Sequence, residues 1–137
     1  MRHRVAACVL LAALGAACTG EPEPASSHVG TGLPDRPPRG LTSVEWGERL
    51  FTEQGCVGCH TVYGAPSVGG PLDGIIGDPR VFTNGSKGIV DDTYVRESID
   101  SPSSKVVEGY PDVMPAYRHR LSQAQVDALV EFLASRN

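Results

Sequence analysis

Five consecutive residues, Cys56-Val57-Gly58-Cys59-His60, constrain this chain more tightly than any other stretch. With two residues between them, the thiols of Cys56 and Cys59 fall on one turn and can both bond one edge of a flat macrocycle. His60, next in order, can then bring its imidazole to a metal at the centre. This is the spacing by which haem is attached through two thioethers and an axial histidine. A zinc site would need further ligands, yet beyond this motif no cysteine follows and His119 is the one histidine. A thioredoxin-like pair would need a βαβ pattern, which the flanking residues do not offer. Cys56, Cys59 and His60 therefore read as the covalent and axial attachment of one haem c.

Around that motif the chain is organised as an exported protein. Arg2 and Arg4 precede an apolar run from Val5 to Ala17 that is too short to span a bilayer and ends in small residues, so residues 1–17 read as a signal peptide. Two outcomes fit the next residue, Cys18. Gly15-Ala16-Ala17 suits an ordinary signal peptidase. The same cysteine suits a bacterial lipoprotein signal, except that Gly15 stands where such signals carry an aliphatic residue. A lipidated Cys18 would tether the protein to a membrane, each buried CH₂ contributing about 0.8 kcal/mol. The four cysteines are then shared among leader, cleavage point and haem motif, and none is left for a structural disulfide. An oxidising compartment outside the cytoplasm, the periplasm, is the expected location. Loss of Arg2 and Arg4 from the 12 basic residues, against 16 acidic ones, leaves a mature chain at −6. That charge excludes nucleic acid as a natural partner.

Residues 18–41 read as a flexible linker. Thr19 to Gly40 holds five prolines and four glycines, too little apolar surface to order itself, and is semi-extended where prolines dominate. The globular part, residues 42–137, is expected to begin just after Leu41. Thr42-Ser43-Val44-Glu45 has the form of a capping box, with Leu41 and Trp46 as a staple, and the helix it starts should end near Gln54-Gly55. Gly47 is costly inside that helix, by about 1 kcal/mol against alanine. Residues 61–90 are rich in glycine and read as loop around a cofactor. Asp91 or Asp92 can cap a helix running to Asp100, stopped by Pro102. Ser122-Gln123-Ala124-Gln125 is a second capping box, and Val126, Leu129, Val130 and Leu133 follow at helical spacing. No stretch shows the alternation of a strand. The pattern is all-α, with three or more helices around one haem.

Met114 decides what that haem could do. Met1 belongs to the leader, so Met114 is the one thioether of the mature protein, placed in a loop and followed by Pro115. Packing is the ordinary use of a methionine, and His119, between Arg118 and Arg120, is a competing ligand. A His60/Met114 pair would raise the reduction potential and fill both axial positions.

With these stretches in view, residues 42–137 resemble a class I cytochrome c domain. They are most similar to the domain fused to the C-terminus of some bacterial cytochrome c oxidase subunit II chains (caa3-type). The matching stretches are Gly47-Glu48-Arg49-Leu50-Phe51, the haem motif, Gly70-Pro71-Leu72-Asp73-Gly74, Tyr94-Val95-Arg96-Glu97-Ser98-Ile99 and Val113-Met114-Pro115-Ala116-Tyr117. The resemblance implies that Gly47 and Phe51 meet Phe132 where the first and last helices cross. It also implies that the Pro71 carbonyl accepts the His60 Nδ1–H, and that Tyr94, Val95 and Ile99 line the haem pocket. Arg80, Tyr110 and Arg118 are candidates for the propionates. The copper-binding domain and membrane helices of the oxidase subunit have no counterpart here.

The expected function is single-electron transfer in a respiratory chain, to or within a terminal oxidase. A quinol-oxidising complex or dehydrogenase would be the donor. The sequence leaves two rivals open: a haem enzyme or gas or redox sensor in which Met114 dissociates, and a haem subunit bound within a dehydrogenase complex.

Overall fold

In a computed structural model the protein is described over residues 34–65 and 67–137. The expected signal peptide 1–17, Cys18 and the linker as far as residue 33 lie outside the described residues. Three α-helices occur among the described residues: α1, Ser43–Glu53; α2, Asp92–Asp100; and α3, Gln123–Ala134. None is long and apolar enough to cross a membrane.

Each helix starts where a short polar side chain can replace a missing helical partner. At α1 the Thr42 hydroxyl accepts the Glu45 N–H at 3.2 Å, and the Glu45 carboxylate accepts the Thr42 N–H at 2.8 Å. Two of the four orphan N–H groups at the helix start are thereby satisfied. At α3 Ser122 and Gln125 repeat the exchange, at 3.4 and 2.9 Å. At α2 the Asp91 carboxylate accepts the Tyr94 N–H at 2.7 Å. α1 ends on Gln54, after which Gly55 takes φ +79°, a left-handed conformation that side chains disfavour. Pro102 follows α2 and opens a 3₁₀ turn, Pro102–Ser104.

The core lies between α1 and α3. Trp46, Leu50 and Phe51 pack with Val126, Leu129, Val130, Phe132 and Leu133 in one buried cluster. Gly47 explains how close the two helices come. A Cβ there would stand 2.7 Å from the Phe132 Cβ and nearer still to the Ala128 carbonyl, so the bare backbone of α1 rests on α3. The Phe51 and Phe132 rings sit 5.6 Å apart, tilted by 50°. α2 contributes Val95 and Ile99 to the same cluster, and Arg96 on α2 pairs with Asp127 on α3.

One expectation needs correcting. The glycine-rich stretch contains a small antiparallel hairpin, β1 Pro79–Val81 with β2 Lys87–Ile89, in the register Arg80↔Gly88. Asn84-Gly85 makes its turn: Gly85 has φ +81° and the Asn84 side chain accepts from Ser86 N–H at 2.9 Å. Strands of three residues are too short to display alternation, although the Asn-Gly turn was visible. Phe82, 3 % exposed, follows β1 and stacks on Tyr94 at 5.7 Å, which ties the hairpin to α2. Domain contacts also begin before Leu41. The Gln125 side chain donates to the Pro34 carbonyl at 3.0 Å.

Candidate functional site

The end of α1 delivers the motif. Beyond Gly55 the chain makes a 3₁₀ turn, Cys56–Gly58, and the Cys56 carbonyl accepts the N–H groups of both Cys59 and His60, at 3.1 and 2.9 Å. Cys56 and His60 are half-buried and Cys59 is exposed. Burial pushes the Cys56 thiol above its ordinary pKa. Both cysteines and His60 line a cavity of about 620 Å³, within the roughly 300–1,000 Å³ typical of cofactor sites.

The same cavity collects several other residues singled out from the sequence. Pro71 lines it from the loop after the motif, Tyr94, Val95 and Ile99 from α2, and Met114 from the segment before α3. Arg80 and Tyr110 reach it too, Arg80 while paired with Asp78 at 3.2 Å. Arg118 and His119 are exposed and lie outside its lining. Cys18 lies outside the described residues. Among the described residues no group of three or more His, Cys, Asp or Glu side chains is placed to hold a metal ion by itself.

The imidazole is held in one tautomer. His60 Nδ1 lies 3.2 Å from the Gly70 carbonyl. A carbonyl can only accept, so Nδ1 carries the proton and Nε2 keeps its lone pair for a metal. Burial drives the His60 pKa below its usual value, and the Gly70 bond opposes this only in part. The neutral, ligating form is favoured.

The partner expected for that ring was the Pro71 carbonyl; the structure assigns the bond to Gly70, one residue earlier. Gly70 has φ +79°, a left-handed turn just before the proline. Pro71 instead runs beside Thr61, where the Leu72 N–H donates to the Thr61 carbonyl at 2.8 Å.

Gly69 is the companion residue that sequence reasoning passed over. A Cβ on it would stand 2.6 Å from His60 Nε2 and 2.8 Å from Nδ1, so only a glycine leaves room for the ring. Its N–H donates to the Cys59 carbonyl at 2.7 Å, and the Ser67 hydroxyl also donates to that carbonyl. The visible signal was the Gly69-Gly70 pair itself.

Tyr117 closes the stretch 113–117, and its place at the site is not evident from that motif. It is 6 % exposed, lines the cavity, and donates its hydroxyl to the Gln54 carbonyl at 3.0 Å. Burial raises its pKa, with Cys56 adding in the same direction and Arg120 opposing.

The donor set suits a haem. Two thiols and a neutral imidazole leave one turn, a thioether approaches from a separate segment, and the walls between are largely aliphatic and aromatic. No protein of the curated collections matches the chain. A family model described as cytochrome c matches residues 44–137.

Proposed function

The chain belongs to the cytochrome c family and carries one covalently bound haem c, and from that premise we propose that it passes single electrons along a respiratory chain, to or within a terminal oxidase. Family membership makes it a haem-based electron carrier rather than an enzyme. In the proposal Cys56 and Cys59 would hold the haem through thioethers, His60 and Met114 would bind its iron, and Pro71, Tyr94, Val95 and Ile99 would wall the pocket. When bound, the haem supplies one-electron chemistry at an iron whose potential this ligation raises.

The observation that carries the reading is that His60 and Met114 line one cavity. Two protein ligands leave no coordination position for a substrate, which suits a carrier. Burial keeps the imidazole neutral while the Gly70 carbonyl fixes its tautomer, and the buried faces of α1, α2 and α3 exclude water. Likeness of the quoted stretches to the oxidase-linked domain supports a terminal oxidase as acceptor. A quinol-oxidising complex or dehydrogenase is the proposed donor. Export to the periplasm, with Cys18 as a candidate lipid anchor, completes the proposal; cleavage before an unmodified Cys18, read by mass spectrometry, removes the anchor.

The test of ligation is absorbance of the ferric holoprotein. The weak long-wavelength band of methionine–iron ligation is expected, and Met114→Ala should abolish it, lower the potential and retain the haem. A five-coordinate high-spin spectrum in the unaltered protein sinks the assignment. Membranes containing the oxidase should oxidise the reduced protein; failure there removes the acceptor while leaving the carrier.

A further inference from the structure

Met114 sits in a stretch with little to hold it. Residues 111–117 form neither helix nor strand, and among the described residues Met114, Pro115 and Ala116 make no main-chain hydrogen bond. The first fixed point after the methionine is Tyr117. Its N–H donates to the Ile99 carbonyl of α2 at 3.0 Å, and its hydroxyl donates to the Gln54 carbonyl at 3.0 Å across 63 residues of sequence. Arg120 lies 4.8 Å from the centre of its ring.

The acceptor matters as much as the donor. Gln54 caps α1, so its carbonyl is one of those a helix end leaves without an intrahelical partner. Only Gly55 separates it from Cys56. The Tyr117 hydroxyl therefore joins the segment carrying Met114 to the residue that launches the attachment turn.

We propose that Tyr117 is a positioning residue that holds Met114 at the cavity by locking its segment to the end of α1 through the Gln54 carbonyl. The proposal rests on the reading of Met114 as an axial ligand. Withdrawal of the methionine segment breaks a buried hydrogen bond and strands a buried carbonyl, so the state with Met114 displaced is disfavoured. Removing the hydroxyl while keeping the ring takes away that penalty and raises the population of the displaced state roughly tenfold.

The test uses full-length, haem-loaded Tyr117→Phe, which preserves the ring and its packing. The methionine band of the ferric protein should persist at neutral pH, and added imidazole should displace it at about one-tenth of the concentration the unaltered protein needs. The band should also vanish at lower alkaline pH. Tyr63→Phe is the comparison: Tyr63 is an exposed phenol paired with Arg136, and its removal should leave the imidazole titration unchanged. A lowered melting temperature in Tyr117→Phe with an unchanged imidazole titration overturns the proposal, as does an equal shift in Tyr63→Phe. Met114→Ala separates the two failures. If that variant keeps the band, or the unaltered protein lacks it, the ligand reading fails. If Met114→Ala loses the band and Tyr117→Phe behaves as the unaltered protein, the positioning role alone fails.

Discussion

Gly47 and Gly69 each stand where one methyl group would overlap another residue's atoms, yet the two substitutions should fail differently. Gly47→Ala gains up to about 1 kcal/mol of helix propensity but drives a Cβ into the backbone of α3, an overpacking that costs about 1–3 kcal/mol and more where the obstacle is main chain. A net loss of stability is expected, read as a lower denaturant midpoint with the haem spectrum kept. Gly69→Ala meets the imidazole instead. It should displace His60, reduce the ratio of haem to protein absorbance several-fold and alter the spectrum of what haem remains. A Gly69→Ala protein with normal haem content and spectrum would show that the ring does not need that space. The helix-crossing role of Gly47 was accessible beforehand because the resemblance named both partners. Gly69 was not, since its contact with His60 follows from a loop folding back and leaves no periodic trace.

The helices were legible because their start signals are local. Thr42 with Glu45, and Ser122 with Gln125, act over three residues, and both reciprocal exchanges are formed. Replacing either cap, Thr42→Ala or Ser122→Ala, should cost about 1 kcal/mol, seen in chemical denaturation at unchanged haem content. The elements built by distant pairing were the ones missed. Hairpin residues 79–89 combine a proline and two glycines with short strands, so hydropathy shows no alternation, and its stacking of Phe82 on Tyr94 joins separate elements. The His60 partner was misplaced by one residue for the same reason: choosing between neighbouring carbonyls requires the turn at Gly70, a backbone angle that residue identity permits but does not dictate. Cys56, Cys59, His60 and Met114 were visible in motifs and line one cavity; the candidate Arg118 does not, and the cavity's hydrogen bonds left no mark in the sequence.

Across the whole molecule, acid acts through carboxylates that hold elements in place. Glu97 on α2 pairs with Lys105 at 2.5 Å and accepts the Ser104 hydroxyl at 2.9 Å, which ties α2 to the segment leading toward Met114. Lys105 chiefly holds the Glu97 pKa below 4.5, and the Thr42 backbone bond does the same for Glu45. Both groups bind protons less readily folded than unfolded, so their contribution is complete above that value and is lost as pH falls through the depressed folded pKa. The melting temperature should fall as pH drops below 4.5, and less steeply in Glu97→Gln. An unchanged slope would mean that the pair contributes nothing to acid stability. The pairing of α1 with α3 has a consequence in time. Each helix buries its apolar face chiefly on the other, so a chain still short of Gln123 lacks most of the surface on which α1 settles. Bringing the two helices together closes a long loop, whose entropy cost comes before the contacts that offset it. Until the last helix arrives, Cys56 and Cys59 remain on an unpacked strand of polypeptide, reachable from solution. The fold thus leaves its own thiols open for the chemistry that completes it.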